Sequence, residues 1–444
     1  MKKIILPKLD IYTPLQKSNQ IINEDYDIDN YLHYPILIDE DGIPWKYGNL
    51  YLLSKLKNYK KPSSKTLDSI ANDLKDFMLW CKQSDIDYLT AKRKVLTPTY
   101  KYRGYLQTLY ENGKISSSTL KRKIGSVIGF YRYLINEQYI KFKFPLWEEG
   151  ITSITYFDNK GFSQSKNIIT TDIAKAPLVQ NQEITNEEFI KDGANLKPLT
   201  ENEQVSIVKA LLQIDNKEMT LGFLISIFTG ARISSVYSLR LKHFKKNIDF
   251  ESKDDITVKI GLGTDCDTKG DKQYLLYFPL WLYQMIKIYI QSPKSVIKRE
   301  KAKHIFEDND KQYVFLNNRG RPYYVSKYDP YKQDYRNIPN GNTVRLFILN
   351  TLQKVLKKNN KNIKFSFHDL RATFGMNTLN RLLPLVKSGE IDISFALHYV
   401  KERMGHSSLI TTERYLNFQK LNQVKLKIQN GFEDHLSKLI LNEL

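Results

Sequence analysis

The sequence predicts a mainly α-helical protein with a small β-sheet, an α+β chain divided into more than one domain. Three observations carry this. Apolar residues recur at helical spacing from Ser63 and again from Ser117 onward. Strand-like runs are few and short, at Ile256–Ile260, Tyr274–Phe278 and Tyr313–Leu316. At 444 residues the chain is long enough for two or three domains, each with its own core.

Residues 1–62 mix short extended runs with turns; Ile36-Leu37-Ile38 and Ile43-Pro44-Trp45 flank Asp41-Gly42, which predicts a small hairpin. Residues 63–150 read as a helical domain. Leu67, Ile70, Ala71, Leu74, Phe77 and Met78 fall on one face of a first helix. A second helix, expected to be capped by Ser117 or Ser118, carries Leu120, Ile124, Val127, Ile128, Tyr131, Leu134 and Ile135 on one stripe. Lys121, Arg122, Lys123 and Arg132 lie outside that stripe. Residues 151–195 lose helical periodicity and read as a linker with some strand, and residues 196–444 as a second, mainly helical domain. The run Lys354–Lys364 reads as a solvated basic face. Phe432, Leu436, Leu439, Ile440 and Leu444 form an apolar stripe after Gly431, expected to dock on a neighbouring copy or fold back on its own domain.

The formal charge of +20 and pI near 9.4 point to a large polyanionic partner, nucleic acid or an acidic membrane surface. The longest apolar stretch, Leu221–Phe228, is far below the ~20 residues of a membrane span, which leaves nucleic acid. The start meets Pro7, Lys8 and Asp10 before a signal-peptide core develops. Cys81 and Cys266 stand far apart and outside metal spacing, so neither a disulfide framework nor a zinc site is expected, and the protein is expected in a reducing cytoplasm. Gly261-Leu262-Gly263 lacks the setting of a nucleotide loop, and Glu307-Asp308-Asn309-Asp310 lacks the glycine and terminal glutamate of a calcium loop.

Near the end, His368-Asp369-Leu370-Arg371 is followed by Met404-Gly405-His406 and Tyr415. Tyr415 follows His406 by about two and a half helical turns, across a predicted turn at 407–412 that leads into a short helix. Upstream stand Thr229-Gly230-Ala231-Arg232 and, in a predicted turn between strands, Thr268-Lys269-Gly270. Attack on an anionic phosphodiester must neutralise charge growing on its oxygens, and arginine suits this because it stays protonated and presents a planar fork. Arg232 and Arg371 are the candidate clamp. A phenol with a pKa of about 10 needs such cations to stabilise its phenolate, and Tyr415 is the candidate nucleophile. His368 and His406 are placed to bond phosphate or relay protons. His33, His243, His304, His398 and His435 read as structural.

The order Arg232, Lys269, His368, Arg371, His406, Tyr415 resembles the tyrosine recombinase, or phage integrase, family. The resemblance covers roughly the last 250 residues with motifs, and the helical region before them more loosely. It implies a helical, SAM-like core-binding domain joined to a catalytic domain in a C-shaped clamp on DNA, with Lys121, Arg122, Lys123 and Arg132 on phosphates. It further implies a 3′-phosphotyrosyl intermediate formed without metal or other cofactor, a homotetramer on double-stranded DNA coupled by exchanged C-terminal helices, and a site-specific recombinase or integrase of a bacterial or phage mobile element. DNA-bending or directionality factors are possible partners, at the nucleoid. Lys269 matches the family's strand-turn lysine, the general acid for the leaving oxygen, better than Lys272 does. A type IB topoisomerase and a non-catalytic DNA-binding relative are the rival readings. Three departures stand out. Ser235 occupies the position where the family carries an acidic residue, leaving the support of Arg232 open. Met404 replaces a leucine at nearly constant volume. Leu382–Ser394 reads as an insertion.

Overall fold

In the computed structural model the chain divides into two units, Met1–Asn181 and Gln182–Leu444. The structure describes residues 1–17, 20–57, 61–90, 93–157, 163–174, 189–246, 255–302, 308–335 and 337–421. The expected C-terminal stripe, His304, Glu307 and His435 lie outside the described residues.

The first unit opens with a long antiparallel hairpin, β1 (Lys2–Lys17) and β2 (Gln20–Ile38), in place of the short runs expected. Pro7, Pro14 and the charged residues scattered through both strands hide the period-2 signal that would announce it. The small turn at Asp41-Gly42 is present: Ile38 bridges Pro44, and the Trp45 N–H bonds the Leu37 carbonyl at 2.9 Å. Helices α1 (Lys46–Ser54), α2 (Ser64–Gln83), α3 (Pro98–Glu111) and α4 (Ser117–Asn136) follow. The Ser63 hydroxyl caps α2 by accepting the Thr66 N–H, and Leu67, Ala71, Leu74, Phe77 and Met78 are buried, with Ile70 packed beside them. The cap of α4 is Ser116, one residue before the expected pair; in a run of three serines each has cap chemistry, and backbone geometry chooses. Six of the seven expected stripe residues of α4 belong to the core, but Ile135 is 42 % exposed, although Leu134 beside it in the last turn is buried. Tyr31, Tyr34, Leu37 and Trp45 join the same core. A second hairpin, β3 (Glu149–Phe157) and β4 (Ser163–Thr171), occupies part of the expected linker.

The second unit begins with the two-residue strands β5 (Ile190–Lys191) and β6 (Asn195–Leu196). Helices α5 (Glu201–Ile214), α6 (Lys217–Thr229) and α7 (Ile233–Tyr237) follow, then the hairpin β7 (Ile256–Ile260) and β8 (Tyr274–Phe278), both at the expected bounds. Val258, Ile260, Leu276 and Phe278 alternate into the core. Helices α8 (Leu280–Gln291) and α9 (Pro293–Ala302) lead to Tyr313–Leu316, which is buried but is not a strand of any sheet. Its backbone meets its neighbours only at single bridges, Arg240 to Tyr313 and Leu316 to Pro322, so an apolar run that reads as strand packs as an irregular core segment. Then come α10 (Asn342–Phe347), α11 (Gln353–Lys358), α12 (Phe367–Ser388) and α13 (Ile393–Met404). The expected insertion is mostly helix: α12 runs through Pro384 to Ser388, and a left-handed Gly389 ends it before α13. Residues 409–421 form a further helix that carries Tyr415. Among the described residues no helix is long and apolar enough to cross a membrane.

Candidate active site

Each candidate side chain is placed by a local device. Helix α6 ends on Gly230, whose φ of +69° a residue with a Cβ rarely adopts, and a Cβ there would lie 2.5 Å from the Phe374 ring. The reversal turns Arg232 inward as the residue preceding α7. Ser366 and Asp369 form a reciprocal capping box that fixes the start of α12, setting His368 and Arg371 on its first turns. Helix α13 stops on left-handed Gly405, which leads directly to His406.

Arg371 is fully buried, and its guanidinium donates to the Gly230 carbonyl at 2.6 Å and the Met404 carbonyl at 2.7 Å. Its remaining edge donates from Nε to Oδ2 of Asp192, at 3.3 Å. The same carboxylate oxygen accepts from His406 Nε2 at 3.1 Å and from the Tyr415 hydroxyl at 3.4 Å. Arg232 approaches the other oxygen, Oδ1, at 3.8 Å. A carboxylate accepts only, so His406 carries its proton on Nε2, and Nδ1 accepts from the Thr412 hydroxyl at 3.0 Å. Four of the six expected side chains, Arg232, Arg371, His406 and Tyr415, thus meet around one oxyanion.

That oxyanion was not among the expected site residues. Asp192 lies in the turn between β5 and β6, within the segment read as a linker, and is only 6 % exposed. The one available signal was an acid lying shortly before a strand-helix start in a chain whose Ser235 lacks the expected carboxylate. Ser235 itself is buried and donates to the Asp267 carbonyl at 2.7 Å, so Asp192 supplies the negative charge beside Arg232 that Ser235 does not.

His368 and Lys269 border this cluster. The His368 imidazole is held below its usual value by burial and then by Arg371, with the Asp192 carboxylate and backbone opposing. Lys269, on the turn between β7 and β8, is exposed, and its Nζ lies 3.3 Å from where a Cβ on Gly193 would stand. Lys272 on the same turn reaches deeper, donating to the carbonyls of Gly405 at 3.2 Å and His406 at 2.7 Å. Burial, then Lys401, Arg232 and Arg371, hold its ammonium below the ordinary lysine value.

The electrostatics are those of a closed anion site. Burial alone would raise the Asp192 carboxyl, but the His406 hydrogen bond and the charges of Arg371, His406 and Arg232 hold it well below the carboxylate range. Burial, and then the Asp192 charge, push the Tyr415 phenol well above its usual value, against the pull of Arg371 and Arg232. Burial keeps His406 below 6.5 despite its bond to Asp192. Among the described residues no group of three or more His, Cys, Asp or Glu side chains is arranged to hold a metal ion.

The expected DNA-binding face of α4 is largely ion-paired: Arg122 with Asp73 at 2.5 Å, Arg132 with Glu149 at 2.9 Å, and Lys123 with Asp76, while Lys121 is exposed. Of the histidines expected to be structural, His243 accepts the Arg240 N–H at 2.9 Å and His398 lies exposed on α13.

Two arginines, a histidine and a tyrosine that converge on one oxyanion make a site able to hold an anion such as a phosphodiester. Residues 197–421 match the phage integrase family, and residues 51–138 match the phage integrase N-terminal SAM-like domain. The chain belongs to the phage integrase family and is an enzyme of the tyrosine recombinase type. It is similar to tyrosine recombinase XerC of Oceanobacillus iheyensis, 23 % identical over 369 residues that cover 81 % of this chain and 88 % of that one. Tyrosine recombinase XerC of Bacillus pumilus is 24 % identical over 324 residues, covering 72 % and 76 %. Among solved structures, the Tn1549 transposon integrase in complex with circular intermediate DNA aligns over 83 % of this chain and 94 % of that one. At 16 % identity and a TM-score of 0.44 the likeness is too loose for side-chain comparison.

Proposed function

We propose that this enzyme is a site-specific recombinase or integrase of a mobile element, and that it cuts one DNA strand with Tyr415. The observation that supports this is the convergence of Arg232, Arg371, His406 and the Tyr415 hydroxyl on a single oxyanion. Those donors suit the non-bridging oxygens of a scissile phosphate. Tyr415 gives its hydroxyl proton to water as Arg232 and Arg371 stabilise the developing phenolate, its oxygen attacks phosphorus, the bond to the 5′ oxygen breaks, and a 3′-phosphotyrosyl bond holds the energy for rejoining. Arg232 and Arg371 neutralise the growing charge, His368 and His406 bond the phosphate oxygens, and Lys269 protonates the leaving 5′ oxygen. Lys272, tied to the Gly405 and His406 carbonyls, holds the His406 loop.

In this reading the SAM-like domain contributes phosphate contacts, Lys121 directly, and Arg122, Lys123 and Arg132 after exchanging a carboxylate for a phosphate. Four protomers assemble on two duplexes at the nucleoid, with accessory DNA-bending factors as possible partners.

The test is a nicked suicide duplex carrying the target sequence. Wild-type protein should become covalently attached to DNA and transfer strands between duplexes, whereas Tyr415→Phe should bind with nearly unchanged affinity and form no adduct. An adduct from Tyr415→Phe at the wild-type rate would show that another residue is the nucleophile. Relaxation of supercoils without strand transfer would favour a topoisomerase, and binding without any adduct a non-catalytic relative.

A further inference from the structure

We propose that Asp192 is a built-in plug: in the DNA-free protein its carboxylate stands in the place of the scissile phosphate, and the β5–β6 turn must withdraw before cleavage begins. The inference rests on the reading that Arg232, Arg371, His406 and Tyr415 act on a phosphodiester.

Oδ2 of Asp192 receives three donors, Arg371 Nε, His406 Nε2 and the Tyr415 hydroxyl, while Oδ1 faces Arg232. This is the arrangement that one non-bridging oxygen of a phosphate would take. Each terminal nitrogen of Arg371 already donates to a carbonyl, of Gly230 and of Met404, and its Nε donates to Asp192. A phosphate therefore competes with Asp192 for the same donors, and two anions cannot share a buried site that holds one. Tyr415 is silenced by the same contact. Its hydroxyl donates to the carboxylate, and a phenolate there would face the Asp192 negative charge inside a buried site, so the charge of Asp192 disfavours the phenolate.

The plug is attached to parts that would register its removal. Arg414, adjacent to the nucleophile, donates to the Lys191 carbonyl at 2.6 Å, which ties the turn to the Tyr415 helix. On the far side of the turn, the Lys197 N–H bonds Asp369 at 2.8 Å and the Leu199 N–H bonds Thr373 at 2.9 Å, anchoring β6 to α12. The turn itself closes through the Asp192 N–H to the Ala194 carbonyl at 3.1 Å. The anchored side is a pivot, and the side that moves carries Asp192 and the link to Arg414. DNA binding thus unplugs the phosphate site and frees the tyrosine helix in one movement.

The experiment uses the full chain as wild type, Asp192→Ala and the isosteric Asp192→Asn, with two readouts. In the first, thermal unfolding is followed with and without inorganic phosphate. Phosphate should raise the Tm of Asp192→Ala, and to a smaller degree of Asp192→Asn, and leave wild type unmoved. Equal response of all three proteins overturns the plug. In the second, adduct formation on the nicked duplex is timed. If the unplugged state is populated to about one part in ten, both variants should form adduct up to about tenfold faster than wild type at limiting DNA. Adduct formed no faster, or more slowly, by both variants overturns the plug and makes Asp192 a positioning group for Arg232 and Arg371. Phosphate stabilisation of Asp192→Ala with no adduct from any protein, wild type included, shows that Asp192 occupies a phosphate site but removes the recombinase reading and, with it, the plug's role in cleavage. Should Asp192→Ala not fold, Asp192→Asn decides both readouts.

Discussion

Lys269 and Lys272 share one turn between β7 and β8, yet their ammonium groups stand in different surroundings. Lys272 is tied to two backbone carbonyls and held below the usual lysine value by burial and nearby cations; Lys269 is exposed and reaches towards Gly193. A general acid must deliver its proton to the leaving oxygen, and an ammonium already donating to the Gly405 and His406 carbonyls has to abandon them first. Lys269→Ala should therefore slow cleavage by about 10²- to 10⁴-fold, and a 5′-bridging sulfur, which leaves without a proton, should restore most of the rate. Lys272→Ala should also slow cleavage, through the displaced His406 loop, but sulfur should not rescue it. The opposite pattern of rescue would exchange the two roles.

At the scale of the element, α12 matters as a rigid post against which Tyr415 is seated. Gly375 faces both Met404 and Tyr415, and a Cβ there would lie 2.6 Å from the Met404 sulfur and 2.7 Å from Cε1 of Tyr415. The methionine side chain is flexible; the tyrosine ring is fully buried in a core with Ala372, Phe374, Val400 and Leu416, and has little room to retreat. Gly375→Ala should cost about 1–3 kcal/mol in stability by overpacking. Because a shift of about 1 Å at a reacting atom costs about 10²-fold, adduct formation should fall by that order while DNA affinity is retained. Unchanged adduct formation, measured alongside urea unfolding, would mean that the ring is not held where it reacts.

For the whole molecule, the buried site makes stability depend on pH in a definite direction. His406 and His368 titrate below 6.5 in the folded chain, chiefly through burial, whereas an unfolded imidazole takes its proton at about 6.5. The unfolded chain then binds more protons, so the stability these residues contribute is present above about pH 6.5 and is lost as the pH falls towards their folded values. Asp192, held below its unfolded value of about 3.9, adds stability that is present above about pH 4 and is lost below it. The Tm of the catalytic unit should fall in two stages on acidification, and His406→Asn should flatten the upper one. A Tm that climbs between pH 7 and pH 5 would contradict the burial of neutral imidazoles. The net charge of +20 adds a second whole-molecule expectation. If about six to ten phosphates are neutralised, the logarithm of DNA affinity should fall by about 0.9 per contact against the logarithm of salt concentration, and a nearly flat dependence would exclude broad phosphate contact.

Features that depend on local order were legible in the sequence. The faces of α2 and α4 follow from a 3.6-residue period, the bounds of β7 and β8 from short β-branched and aromatic runs, and the order of arginines, histidines and tyrosine from motifs a few residues long. The long β1–β2 hairpin escaped because prolines and charges interrupt its alternation, and Tyr313–Leu316 misled because burial alone gives an apolar run whether or not a neighbouring strand exists. Ion pairing of Arg122, Lys123 and Arg132 was equally invisible, since their partners lie on α2 and β3. The sequence by itself determined which side chains are the candidates for the chemistry, because their identities and order are written in it. Only the tertiary structure decided what stands between them: Asp192 lies 179 positions before Arg371, and no local period couples them. Its place follows from the packing of Ile190 and Leu196 beside α12 and the tyrosine helix, a many-body contact that brings one carboxylate within reach of four donors.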